Sequence, residues 1–124
     1  MSHEVIISIA SNRCQCLKLA AARRQLDRLL YASCYTAELW TEPMGSSHRS
    51  GRLYLNQLVK AQYDGSLSEL VDSLKLIEVK LGRSEQHRQL GLVDIDLDVL
   101  RFGDTRLHLS DWERPYIQNL LEQL

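Results

Sequence analysis

Apolar and polar residues along this 124-residue chain follow two periods, one of two residues and one of three to four. Residues 4–10, EVIISIA, are rich in β-branched side chains and stop at Ser11-Asn12, which predicts a strand and a turn. From Cys14 to Leu30, apolar residues recur at helical spacing, at Leu17, Ala20, Ala21, Leu26, Leu29 and Leu30, and predict a helix. Residues 31–41, YASCYTAELWT, return to strand character, and residues 42–51, EPMGSSHRSG, read as a loop. Leu53 to Tyr63 predicts another strand. Ser66 and Glu69 have the spacing of a capping box at the head of a second helix. Leu67, Leu70, Val71, Leu74, Ile77 and Leu81 share one face of that helix, and Gly82 fits the position just past its end. A polar, partly basic loop, RSEQHRQLG, precedes a strand with alternating aspartates that ends near Phe102-Gly103. Ser110 and Glu113 predict a second capping box before a short terminal helix, with Pro115 near its first turn.

The order β-α-β-β-α-β plus a terminal helix predicts an α+β, ferredoxin-like fold. Its antiparallel sheet would carry helices on one face, with one domain spanning residues 1–124. This fold hosts many functions, so the chemistry must come from particular residues.

Composition narrows the partners. With 15 basic and 16 acidic residues, no global field draws the chain to nucleic acid or membrane. The first residues lack the features of a signal peptide, and no apolar run is long enough to span a bilayer. Cys14, Cys16 and Cys34 are odd in number and lack zinc-site spacing, so reduced thiols in a cytoplasmic protein, monomeric or homodimeric, are expected.

Two features break the simple pattern. At 100° per residue Glu78 lies about 20° from Leu67, within the apolar stripe of the second helix. A carboxylate there is either paired or faces a cleft, unless it snorkels from the last turn. In GLVDIDLDVLRFGD, residues 91–104, Asp94, Asp96 and Asp98 alternate with Ile95, Leu97 and Val99, which puts the carboxylates on one strand face. Aspartate is a poor strand former, and like charges two apart repel. The face is either solvated or a seat for Mg²⁺, which takes hard oxygen ligands and completes its shell with water and phosphate. Arg83, His87 and Arg88 are loop cations within reach of a phosphate, or simply a wet surface run. His48 and Arg49 in the first long loop are equally open. Tyr54 and Asn56 share a strand face and could read a planar heterocycle, or pack and bond internally.

Taken in order, ISIASN, TEPMG, YLN, IEVKLGR and DIDLDVLRFG resemble 6-hydroxymethyl-7,8-dihydropterin pyrophosphokinase from about residue 4 to 104. The resemblance implies transfer of pyrophosphate from ATP to a pterin alcohol in folate biosynthesis. It implies that Asp96 and Asp98 hold a pair of Mg²⁺ ions between ATP and pterin. Thr41, Met44, Tyr54 and Asn56 match pterin-pocket positions. Glu78 matches a glutamate on the nucleotide side, and Arg83 the first arginine of a catalytic loop. Asp94 has no counterpart in the motif and is expected to be solvated.

The chain also departs from the family. Gln89-Leu90 stands where the family has Arg-Trp, with Arg88 one position earlier as the nearest substitute. Val93 replaces a phosphate-contacting arginine, and Ala10 a turn glycine. After Gly103 the nearest chemical replacements for the family's later nucleotide and pterin contacts are Trp112, Arg114 and Tyr116. Fewer cations imply a slower enzyme. Two further readings are open: a relative that binds pterin or nucleotide without turnover, and a ferredoxin-like interaction module.

Overall fold

The computed structural model describes residues 1–43 and 51–124. The predicted Met44, His48 and Arg49 lie outside the described residues. Strand β1 (His3–Ser11) is central to the sheet, with β4 (Tyr54–Tyr63) antiparallel on one side and β5 (Asp96–Phe102) antiparallel on the other. Strand β2 (Tyr31–Tyr35) and the short β3 (Leu39–Thr41) both pair with β4, and β6 (Thr105–Arg106) pairs with the end of β5. The sheet order β2-β4-β1-β5-β6 is the one that split β-α-β crossovers generate. The expected α+β, ferredoxin-like fold is therefore present.

Helices α1 (Gln15–Leu29) and α2 (Leu67–Lys80) cover one face of the sheet. Val5, Ile7 and Ile9 of β1 meet Leu19, Ala22 and Leu26 of α1 and Leu70, Leu74 and Ile77 of α2 in one buried cluster. Each of the valine, leucine and isoleucine side chains contributes about 2 kcal/mol by leaving water. Helix α2 starts where expected, because Ser66 and Glu69 complete a reciprocal capping box.

The opposite face is also covered. The even-numbered Ile6 of β1 and Leu58 of β4 pack with Leu100, Trp112, Ile117 and Leu120. Trp112 closes helix α4 (Leu109–Trp112), while Ile117 and Leu120 belong to α5 (Pro115–Leu121). The sequence pattern predicted a terminal helix without a docking face; the second core supplies one.

Four local expectations are corrected. Leu17 is 75% exposed, so the buried stripe of α1 runs through Leu19, Ala22 and Leu26. A count of all apolar positions blurred the phase. The strand over residues 31–41 is interrupted at the buried Thr36: its Oγ1, instead of its carbonyl, accepts the Leu58 N–H at 3.0 Å, and its carbonyl accepts from Gln57 Nε2 at 2.7 Å. Within 83–91 the short helix α3 (Glu85–Gln89) forms, capped by Ser84 Oγ accepting the His87 N–H at 3.1 Å. The Ser110–Glu113 capping box is not made, since α4 already begins at Leu109 and Pro115 opens α5.

The phase of α1 is testable by urea denaturation. Leu26→Ala should cost about 3 kcal/mol of stability, whereas Leu17→Ala should stay within about 0.5 kcal/mol of wild type.

Candidate active site

Strand β5 organises the site. Beyond its pairing with β1, its outer edge is covered by β6 only at Arg101 and Phe102. The Asp96–Val99 stretch therefore presents a sheet edge among the described residues, and such an edge needs partners for its amides. Glu78 provides one: its Oε2 accepts the Leu97 N–H at 2.8 Å. This is the physical reason for a carboxylate on the apolar stripe of α2. Arg83 Nη1 lies 3.1 Å from the same Glu78 oxygen and 3.0 Å from Asp96 Oδ1, so one guanidinium spans both carboxylates.

Two cavities meet at Asp96. The larger, ≈ 570 Å³, opens between α2 and β5 and is lined by Lys75, Glu78, Arg83, Asp96, Asp98 and His108, with Leu67, Val71, Leu74 and Leu107 forming its apolar wall. The smaller, ≈ 120 Å³, lies on the other side of the sheet edge, among Ala10, Thr41, Glu42, Tyr54, Asn56, Arg114 and Tyr116. A third recess of ≈ 180 Å³ joins Asp96 and Asp98 to Asp111, Arg114 and Tyr116. Ala10 pairs with Asp96 across β1 and β5, and Asn56 pairs with Ala10 across β4 and β1, which places these side chains in one row.

The structure brings together Glu78, Arg83, Asp96 and Asp98 around one cavity, and Thr41, Tyr54 and Asn56 around the other. Asn56 is buried, and its Nδ2 donates to Thr41 Oγ1 at 2.8 Å and Leu39 O at 3.0 Å. Its donors thus staple β3 to β4, leaving the carbonyl oxygen as the group it can offer a ligand. Arg88 is set apart: it is exposed, lies 3.6 Å from Glu85, and borders a shallow groove next to Glu78 and Arg83. Of the three later residues, Arg114 and Tyr116 reach the smaller cavity, while Trp112 is committed to the second core, with its Nε1 donating to Leu107 O at 3.0 Å.

Asp94 corrects the sequence reading most sharply. It precedes β5 rather than lying within it, and it is 0% exposed, not solvated. Sequence reasoning also missed His108 and Asp111, whose ligand atoms lie within 4.8 Å of one another and of Asp98. Their spacing from the aspartate strand carries no signal, because the reversal at β6 brings them back. All three cysteines are free and exposed, and no helix among the described residues is long and apolar enough to cross a membrane.

Electrostatics mark Glu78 and Asp98. Burial pushes the Glu78 carboxyl up to about 7, overriding the stabilising Leu97 N–H and Arg83. Burial, together with the charge of Asp96, raises Asp98 to about 6. Arg83 stays charged because Glu78, Asp96 and Asp98 outweigh the burial that works against it. Crowded carboxylate oxygens at the meeting point of two cavities fit a divalent cation with hard oxygen preference.

A raised carboxyl stabilises the fold below its unfolded value and loses that contribution as pH rises through the folded one. For Glu78 the window runs from its ordinary 4.5 to about 7. Glu78→Gln should therefore gain stability relative to wild type on passing from pH 4.5 to pH 8. In paired urea titrations the gain should be on the order of 1 kcal/mol once solvent screening is allowed for. A pH-independent difference would contradict it.

Comparison with known proteins shows the family. The family model described as 7,8-dihydro-6-hydroxymethylpterin-pyrophosphokinase matches residues 6–124, so the likeness runs through α5 rather than stopping near residue 104. A protein of Arabidopsis thaliana named folate synthesis bifunctional protein is 28% identical over 125 residues, covering 92% of this chain and 25% of its own length. The chain thus spans about a quarter of that relative. With the match covering nearly its whole length, this chain belongs to the 7,8-dihydro-6-hydroxymethylpterin-pyrophosphokinase family.

Proposed function

We propose that this chain transfers a pyrophosphoryl group from ATP to the hydroxymethyl group of 6-hydroxymethyl-7,8-dihydropterin, a step of folate biosynthesis. The observation that carries the reading is the meeting of two cavities at Asp96, with Asp98 beside it. A transfer between two bound substrates needs both reacting atoms at such a junction, held in near-attack geometry.

The larger cavity suits the nucleotide. Its apolar wall from α2 accommodates a base, while Arg83 and Lys75 are cations for its phosphates. The smaller cavity suits the pterin: Tyr54 and Tyr116 are aromatic walls, and Asn56 Oδ1 is an acceptor for the N–H edge of the ring. Met44, which matches the family motif, would be a further pterin contact. In the reaction the pterin hydroxyl oxygen bonds to the β-phosphorus of ATP. The bond from that phosphorus to the α,β-bridging oxygen breaks, AMP leaves, and the hydroxyl proton is released.

Asp96 and Asp98 would hold Mg²⁺, with two ions expected alongside ATP, and the metal would supply charge neutralisation and acidify the hydroxyl. Glu78 keeps the β5 edge in place beneath the phosphates, and its contact with Arg83 sets how much of that guanidinium is free for a ligand. Arg88 is available to swing in from the rim of the neighbouring groove.

Two observations favour a second reading, a binding protein with little turnover. Arg83 is already neutralised by Glu78 and Asp96, and Leu90, at a position where the family has tryptophan, is 63% exposed. Release of AMP from MgATP in the presence of the pterin alcohol decides between the readings. Turnover is expected, with Asp96→Ala and Asp98→Ala each losing at least about a hundredfold in kcat. Magnesium-dependent nucleotide binding without AMP release would select the binding protein, and absence of such binding would refute the transfer.

A further inference from the structure

The buried Asp94 is not part of either cavity, yet it is the most heavily paired carboxylate among the described residues. Three chain segments converge on it. Arg13, from the turn after β1, places Nη1 3.2 Å from Oδ1. Lys18, in the first turns of α1, places Nζ 3.7 Å from the same oxygen and also donates to the carbonyl of Leu81 at the end of α2. His87 of α3 places Nδ1 2.7 Å from Oδ2. A carboxylate can only accept, so Nδ1 carries the hydrogen in this contact. Gly82 borders the cluster at φ +107°, where an added Cβ would come within 3.1 Å of Lys18 Nζ. The backbone there is as closely fitted as the side chains.

His87 is the node through which the cluster reaches the 83–91 segment. Its amide is held by Ser84 Oγ, the residue next to Arg83, and its carbonyl accepts the N–H of Leu92 at 2.8 Å. Asn12 pins the far end, donating to Gly91 O at 2.9 Å and accepting the Val93 N–H at 2.6 Å. Arg83 anchors the near end on Glu78 and Asp96, and between the two ends no residue of α3 is buried. A segment with few buried contacts opens locally at low cost unless specific bonds close it.

We propose that Asp94 is a positioning residue: with its charge compensated by Arg13 and Lys18, it latches His87 and so holds residues 83–91 where Arg83 meets Glu78 and Asp96. The latch acts on the nucleotide side; of the pterin cavity it reaches only the shared Asp96, because Asn56, Thr41 and Tyr54 are on other strands. Its kinetic consequence rests on the proposed pyrophosphoryl transfer; its structural consequence does not.

The test is amide hydrogen exchange on the full chain, with and without Mg²⁺ and a non-hydrolysable ATP analogue, for wild type, His87→Ala, His87→Asn and Asp94→Asn. His87→Ala removes the contact from the loop side and leaves the buried carboxylate with both cations, so the fold survives it. Exchange over 83–91 should rise about tenfold in His87→Ala while α1 and β5 keep wild-type rates, and His87→Asn, which puts an amide donor near the Nδ1 position, should restore most of the protection. In steady-state assays KM for ATP should rise about tenfold in His87→Ala, with KM for the pterin within about twofold of wild type. Asp94→Asn should reproduce both changes. Unchanged exchange over 83–91 in His87→Ala overturns the latch, and so does an increase spread evenly over α1 and β5. If wild type shows no turnover, the transfer reading fails and the exchange pattern alone decides the latch.

Discussion

The open edge of β5 is the constraint on which the rest of the site depends. Antiparallel pairing with β1 fixes one side of that strand, and β6 is too short to cover the other beyond Arg101 and Phe102. An uncovered edge leaves amides that must be satisfied. Here α2 satisfies one of them with Glu78, at the cost of burying a carboxylate, and Arg83 compensates from the segment that follows. The same edge exposes Asp96 to both cavities, and Asp98 to the larger one and to the adjoining recess. Architecture and candidate chemistry thus share one cause, an unfinished strand.

The two hydrophobic layers set where that strand sits. On the α1–α2 side, Leu97 and Val99 belong to the main core; on the other, Leu100 packs with Trp112, Ile117 and Leu120. The register between β1 and β5 shifts after Ile6, so Leu100 has no direct partner on β1 and is free to enter the second core. Docking of α5 through that core carries Arg114 and Tyr116 to the row formed by Ala10, Asn56 and Asp96. The terminal helices therefore act as a wall of the smaller cavity as well as a cover for the sheet.

Much of this was legible in the sequence because it depends on short-range periodicity. The alternation around Asp96 and Asp98, the Ser66–Glu69 capping box and the displaced Glu78 are each visible within a dozen residues. What could not be read has long-range causes. Asp94 looked like a third member of the alternation, but it lies before the strand begins and is buried by Arg13 and Lys18, some eighty residues earlier in the chain. Leu17 looked like core by type; only the direction in which α1 docks shows that it is not. Arg114 and Tyr116 were matched by chemistry alone, and it takes the second core to bring them to the cavity while leaving Trp112 behind.

The central claim is that two ligand cavities are joined through Asp96 and Asp98 by a shared cation, and linkage measures this directly. Calorimetric titration of the pterin alcohol should show tighter binding when Mg²⁺ and a non-hydrolysable ATP analogue are present, by about tenfold or more. That gain should vanish when Mg²⁺ is withheld or when Asp96→Ala is used. Equal pterin affinity with and without the magnesium–nucleotide complex would contradict the account.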